Sequence, residues 1–317
     1  MEYINEVRTP RYAQDKSRAL VEALPWLKEA TGKTVVIKYG GAAMVSDALR
    51  QQVTDDVVLL KLLGVKPILV HGGGKAVSAA MEKAGLPVRF VDGLRVTPPE
   101  AMDVVREVLV GTVNSQLVSA INVHGALAVG LSGMDANTVV GEPVSDELGR
   151  VGRVTRVNAA YLQSLVAADY IPVLSSIASD DHGGCLNVNA DVVAGEVASA
   201  VGAHKVVFIT DVDGVYEDIS DKTSLISKMT LCEARELASS GALSKGMIPK
   251  VECSIKALES GVPRAHIING KREHSILLEV LTDEGIGTMI YRIKGSEPPA
   301  DDFSPAPLDP LARHLAL

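Results

Sequence analysis

The chain has 317 residues, 47% of them apolar, 22% charged and 3% aromatic. A chain of this length buries roughly three quarters of its unfolded surface, enough for one large domain or two modest ones. Thirty-one Lys and Arg against 39 Asp and Glu leave a formal charge of −8, which gives sequence-independent nucleic-acid binding no electrostatic footing.

Cys185, Cys232 and Cys253 make an odd count with no Cys-x-x-Cys spacing. That argues against a disulfide scaffold or a zinc ribbon and suits a reducing compartment. Residues 1–11 carry scattered charges and no apolar core, so no secretory leader is visible. The stretch Val108–Met134 lacks Asp, Glu, Lys and Arg, but it holds Asn114, Ser115, Gln116, Asn122 and His124. Hydrocarbon tolerates these poorly, so the stretch reads as protein interior, not as a membrane span. The expectation is a soluble, cytoplasmic, globular chain with neither a membrane nor a nucleic-acid partner.

In chain order, residues 1–30 show an amphipathic pattern (Leu20, Ala23, Leu24, Leu27) interrupted by Pro25, which kinks or breaks a helix. A β-branched strand follows at Thr34–Lys38, then a helix at Asp47–Leu63, a strand at Pro67–Val70 and helices at Lys75–Ala84 and Pro98–Val110. A strand at Ala126–Leu131 leads into residues 135–157, whose glycines and proline suggest β-ribbon excursions. Then come a helix at Asn158–Ala168, a strand at Ile171–Leu174, a helix at Asp191–Val201 and a strand at Lys205–Ile209. A helix at Ile248–Ser260 and a strand at Ala265–Ile268 end the alternation, and residues 295–317 hold five of the 15 prolines, as in a loosely ordered tail. Continuous apolar strands alternating with helices predict a three-layer αβα sandwich around a central, mostly parallel open sheet. Ligands then bind along the edge where the strands end.

Five motifs follow strands or open helices. Lys38-Tyr39-Gly40-Gly41 ends the first strand, where bare glycine amides can form an anion nest; taken alone it reads equally as a turn with a surface lysine. Val70-His71-Gly72-Gly73-Gly74-Lys75 places three glycines at a helix N-terminus, where amides and dipole suit a carboxylate or phosphate. It is neither a Walker A loop nor Gly-x-Gly-x-x-Gly, and His71 reads as a buttress of the turn, not as a base. Asn187-Val188-Asn189-Ala190-Asp191 offers more polar groups than one helix cap needs. Thr210-Asp211-Val212-Asp213-Gly214-Val215-Tyr216 fails as a calcium loop because its glycine comes fourth, not sixth. Lys245-Gly246-Met247-Ile248-Pro249-Lys250 puts a lysine one turn into a helix, where an exposed surface residue is the plain alternative.

Taken in this order, and with Gly93-Leu94-Arg95-Val96-Thr97, these motifs resemble the amino acid kinase superfamily, and within it the acetylglutamate kinases, over roughly residues 20–292. The resemblance implies that Lys38 and Lys250 flank a transferring phosphoryl group, with Asp191 organising them. It implies Gly40, Gly41 and Gly72 at the phosphate, and Gly73, Gly74, Arg95 and Asn187 at N-acetyl-L-glutamate. Asp211, Gly214, Tyr216, Ser244 and Gly246 would line a nucleotide site for ATP, whose Mg²⁺ is held by phosphates and water instead of a protein cage. The implied division is an oligomerising extension over 1–30, an acceptor-binding and dimer-forming lobe over 31–202, a nucleotide lobe over 203–294 and the tail over 295–317.

Arginine-inhibited members carry an N-terminal helix that interlaces dimers into a hexamer, a trimer of dimers. They also carry a C-terminal signature matching His274, Glu279 and Gly285-Ile286-Gly287-Thr288. The resemblance therefore implies an arginine site at Trp26, His274, Glu279 and Gly285, with Glu279 open to a bidentate guanidinium and Trp26 standing where some relatives have tyrosine. Related kinases acting on carbamate, aspartate, glutamate, UMP or carrier-bound aminoadipate are the nearest alternatives; a non-catalytic arginine sensor is another, and retention of both lysines argues against it.

Overall fold

A computed structural model describes residues 14, 17, 18, 20–44, 46–244, 246–282 and 285–293. The expected tail over 295–317, residues 1–13 of the expected extension and Lys245 lie outside the described residues.

The centre of the molecule is an eight-stranded sheet. In chain order its strands are β1 (Thr34–Tyr39), β2 (Lys66–His71), β5 (Ala128–Ser132), β8 (Ile171–Ser175), β11 (Lys205–Thr210), β12 (Lys228–Thr230), β13 (Arg264–Asn269) and β14 (Thr288–Tyr291). The spatial order is β12-β14-β13-β11-β1-β2-β8-β5, parallel throughout except for the β13–β14 pair. Strands 1, 2, 5 and 8 build one half; the chain then crosses β1 to build the other from β11 onward. The sheet thus changes direction between β1 and β11, the place where open parallel sheets leave a crevice for ligands.

Helices cover both faces. On one lie α1 (Leu24–Ala30), α2 (Asp47–Leu62), α3 (Gly74–Lys83), α4 (Pro99–Arg106), α5 (Ser115–Asn122) and α10 (Ser275–Leu281). There Val35, Ile37 and Tyr39 of β1 pack with Val53, Val57 and Ile121. On the other lie α6 (Ala159–Ala167), α7 (Ala190–Ala200), α8 (Leu231–Ser239) and α9 (Ile248–Glu259), with Val36 packing against Val193, Val197 and Val251. Side chains alternate along a strand, so Lys38 shares the face of Val36 and looks toward α7 and α9. This assignment of faces positions the site.

A four-stranded sheet, β10-β9-β6-β7, stands beside the main one, built from β6 (Val139–Pro143), β7 (Gly152–Val157), β9 (Ile177–Ser179) and β10 (Cys185–Asn187). It contains the ribbon expected over 135–157. A hairpin of β3 (Phe90–Val91) and β4 (Leu94–Arg95) projects near the strand ends.

Three expectations need adjustment. The helix expected to stop at Val110 continues: α4 passes into a π-helical segment, Glu107–Asn114, and then into α5. The strand expected from Ala126 starts at Ala128, because Asn122 Oδ1 takes the Leu127 and Ala128 amides at 3.0 and 2.7 Å. Pro25 sits in the first turn of α1, where its missing N–H costs nothing, and the break it imposes falls at Ala23. No helix among the described residues is long and apolar enough to cross a membrane.

Candidate active site

Lys38 lies at the end of β1, directly beside Val70 of β2 and Phe208 of β11. Asp191 lies in the first turn of α7, whose N-cap Asn189 accepts the Asp191 amide at 2.8 Å. Lys250 lies in the first turn of α9. A lysine there opposes the helix dipole, whereas Asp191 complements its own helix.

The three side chains converge. Asp191 Oδ1 is 3.0 Å from Lys38 Nζ and Asp191 Oδ2 is 3.1 Å from Lys250 Nζ, all three side chains being largely buried. Burial alone raises the Asp191 pKa, but Lys38 and then Lys250 outweigh it and hold the carboxyl below its ordinary 3.8. One carboxylate therefore keeps two ammonium groups together in a dry site.

The glycine turns surround this triad. A Cβ on Gly40 would lie 2.6 Å from Lys38 Nζ, so the lysine folds over bare backbone. Substituting Gly40 with Ala should displace the flexible ammonium instead of the fold: turnover is expected to fall at least tenfold while the melting temperature moves little. Paired kinetic and thermal-unfolding measurements check this. Gly73 is the N-cap of α3, and a Cβ there would meet Leu109 Cδ2 at 2.6 Å. The amides of Gly73 and Gly74 start a helix and so lack intrahelical partners. Gly72, expected at the phosphate, lines the same cleft, and its own N–H donates to the Tyr39 carbonyl at 3.1 Å. Gly41 opens a short 3₁₀ turn, Gly41–Met44, beside the same cleft.

Arg95 ends the β3–β4 hairpin and is buried. Its Nη2 donates to the Gly74 carbonyl and the Ser78 hydroxyl, both at 2.8 Å, and its guanidinium lies 4.7 Å from the centroid of the Phe90 ring. Asn187 Nδ2 donates to Thr97 Oγ1 at 3.1 Å. Lys38, Gly73, Arg95, Asn187 and Asn189 line one cavity of about 210 Å³. Asn189 was read only as part of a polar string; its position at the α7 cap and in this cavity adds it to the site. A larger cavity of about 650 Å³ adjoins the first through Gly41, Gly73, Gly74, Phe90 and Arg95.

The remaining predicted residues fall into two groups. Asp211, Gly214 and Tyr216 follow β11, at the same edge as the glycine turns. Gly214 backs onto Thr288, whose Oγ1 would lie 2.5 Å from a Cβ there. The Tyr216 hydroxyl donates to Asp213 at 3.1 Å. Asp213, not singled out beforehand, also accepts from Asn269 Nδ2 and Arg272 Nε, at 3.0 and 2.9 Å, and ties the β11 and β13 loops together. Ser244 accepts the Met247 amide at 2.8 Å, and the Gly246 carbonyl lies 3.5 Å from Lys250 Nζ.

The residues expected at an arginine site lie elsewhere. Trp26 sits 5.7 Å beneath Lys205 Nζ at the opposite end of β11. His274 reaches Asp56 of α2 at 2.6 Å. Glu279, expected to pair with a guanidinium, is buried, with Oε1 on His266 Nδ1 at 2.7 Å and Oε2 accepting the amides of Ile286 and Gly287 at 2.8 and 3.1 Å. Gly285, at φ +56°, turns the chain back over that carboxylate. A guanidinium would have to displace one of these internal partners.

The described residues contain no grouping of three or more His, Cys, Asp or Glu able to hold a metal ion. Asp191, the carboxylate at the centre of the site, already has a cation on each oxygen.

Buried lysines bridged by one carboxylate, set among helix N-termini and glycine turns at a switch point, define a site for anions that must meet. The chain belongs to the amino acid kinase family, whose model matches residues 33–269. It is 50% identical over 277 residues to an acetylglutamate kinase of Caldanaerobacter subterraneus subsp. tengcongensis, covering 87% of this chain and 93% of that one. It is 49% identical over 289 residues to an acetylglutamate kinase of Nostoc sp., covering 90% and 97%. Its fold also matches N-acetylglutamate synthase from Neisseria gonorrhoeae, solved with coenzyme A and N-acetylglutamate. There the TM-score is 0.78 at 24% identity; the match covers 87% of this chain and spans 63% of the synthase's length.

Proposed function

We propose that this kinase transfers the γ-phosphoryl group of ATP to the γ-carboxylate of N-acetyl-L-glutamate, a step of arginine biosynthesis. The observation that carries the mechanism is the pair of ammonium groups held by Asp191 beside the glycine turns. The acceptor carboxylate is ionised at neutral pH and needs no general base. Its oxygen attacks the γ-phosphorus, the bond to the β,γ-bridging oxygen breaks and ADP departs, leaving an acyl phosphate. The obstacle is repulsion between two anions, which fixed cations and amide dipoles reduce without reorganising. Lys38 and Lys250 neutralise charge on the phosphoryl and leaving oxygens. Gly73 and Gly74 face the acceptor carboxylate, with Gly40 and Gly41 at the phosphate. Magnesium enters with ATP as part of the substrate.

Residues 31–202 carry the acceptor and residues 203–294 the nucleotide, the latter through Asp211, Gly214, Tyr216, Ser244 and Gly246. Arg95 and Asn187 hold the acceptor α-carboxylate. Replacing Arg95 with Ala should raise the KM for N-acetylglutamate about tenfold or more and leave the ATP KM unchanged, since charge-assisted bonds contribute ~1.5–3 kcal/mol. A selective rise in the ATP KM would move Arg95 to the nucleotide side.

Feedback inhibition by arginine and a homohexameric assembly complete the reading. Leu20, Val21 and Leu24 near the N-terminus are 71%, 63% and 57% exposed, apolar surface suited to contact between subunits. Three free cysteines fit a cytoplasmic enzyme. The test is an ATP-consumption assay with N-acetylglutamate against glutamate, aspartate, carbamate and UMP, with and without arginine, alongside the measured mass in solution. Preference for any other acceptor would displace this function.

A further inference from the structure

His71 ends β2 and is fully buried between Tyr39 of β1 and Ser175 of β8. Its ring links two backbone regions: Nδ1 lies 2.9 Å from the Gly72 carbonyl oxygen, and Nε2 lies 2.9 Å from Asn114 Nδ2. The partners determine where the proton sits. Asn114 Nδ2 is also 2.8 Å from the Val173 carbonyl oxygen, which can only accept, so that atom is the amide NH₂ group. An NH₂ group only donates, so Nε2 of His71 is bare and Nδ1 carries the proton that it donates to Gly72. Burial lowers the His71 pKa to about 4, which keeps the ring neutral at pH 7 and excludes it as a base.

The consequence lies one bond further on. No described peptide bond is cis, and in a planar trans peptide the C=O and N–H point in opposite directions. His71 shares its strand parity with Leu69, on the sheet face of α4 and α5, whereas Lys38 shares the opposite face with Val36. Drawing the Gly72 carbonyl toward His71 therefore turns the Gly73 N–H toward the face of Lys38. The Gly72 amide, held by the Tyr39 carbonyl, fixes the preceding peptide as well. The π-helical segment supports both ends of the device: Asn114 closes it, while Leu109 and Val113 press on Gly73, lying 2.6 and 3.3 Å from where a Cβ would be. Closure from i to i+5 brings Leu109 and Asn114 onto one side of that turn.

We propose that His71 and Asn114 are positioning residues that lock the Gly72–Gly73 peptide, so that the Gly73 N–H faces the acceptor carboxylate as it attacks. The lock stands on geometry alone; what the amide stabilises rests on the kinase reading above.

Nitrogen-15 NMR of histidine-labelled wild-type protein tests the lock directly. The expected signature for His71 is a protonated Nδ1 and a bare Nε2; a protonated Nε2 would overturn it. Kinetics test the consequence. His71→Leu should lower kcat about 10²-fold, as for a lost transition-state donor, with the ATP KM within about threefold of wild type by the same reasoning. His71→Asn, whose Nδ2 can replace Nδ1 as donor to Gly72, should recover at least tenfold of that loss. Equal kcat for the two variants would reduce His71 to packing and refute the proposal. If wild-type protein fails to phosphorylate N-acetylglutamate, the functional reading falls while the NMR result still decides the lock; it also decides the matter if His71→Leu does not fold.

Discussion

Lys38→Ala is expected to lower kcat by about 10²–10³-fold, the loss typical of one preorganised transition-state donor. Charge on the transferring phosphoryl group changes most as the bond to the leaving oxygen breaks, so a cation placed there acts on kcat more than on binding. Lys38 meets that requirement: it leaves a strand buried on both faces, folds over Gly40 and reaches Asp191 at 3.0 Å. Lys250 cannot take over, because α9 brings it to the opposite oxygen of the same carboxylate. Steady-state kinetics should show the substrate KM values changing by far less than kcat. Turnover at the wild-type rate would remove Lys38 from the mechanism.

Asp191→Asn should damage both stability and activity. The substitution preserves shape but leaves two buried ammonium groups without their counter-charge, and breaking a buried ionic cluster in this way costs about 3 kcal/mol. Urea denaturation at pH 7 measures that cost, and kcat should fall at least tenfold as the lysines separate. The pH dependence has a definite sign. Asp191 titrates below its ordinary 3.8 in the folded protein, because Lys38 and Lys250 outweigh the burial that would raise it. Its contribution to stability is therefore complete above the unfolded pKa and is lost as pH falls through the lower folded value. The gap between wild type and Asp191→Asn should hold steady near neutrality and narrow below about pH 4. A gap that widened on acidification would contradict the charge assignment.

Much of this was legible in the sequence, for identifiable reasons. Thr34–Lys38, Pro67–Val70 and Lys205–Ile209 are short continuous apolar runs, and such runs form strands covered on both sides. Glycines at their ends marked the site edge, whereas the grouping of Lys38 and Lys250 with Asp191 came from the family resemblance, since nothing in their spacing brings them together; the three side chains do meet. The π-helical segment was not legible. Val108–Val113 is apolar almost throughout, so it carries no phase to distinguish one helical pitch from another. The clue there was chemical: Asn114 is a buried amide beside an apolar run, and such a group must find partners. Helix α8 was overlooked although Thr230 and Glu233 spell its capping box, both halves of which form. The internal partners of Glu279 were not legible, because His266 and the Ile286 and Gly287 amides reach it only once the chain has folded. Asp213 likewise gains its importance from Asn269 and Arg272, far along the chain.

The most direct measurement is a crystal structure of the full chain with ADP, aluminium fluoride, magnesium and N-acetylglutamate. The account predicts a planar fluoroaluminate between the Lys38 and Lys250 amines, with the acceptor γ-carboxylate in line and the Gly73 amide facing the reacting oxygens. A fluoroaluminate bound away from both amines, or an acceptor carboxylate remote from the Gly73–Gly74 turn, would contradict it.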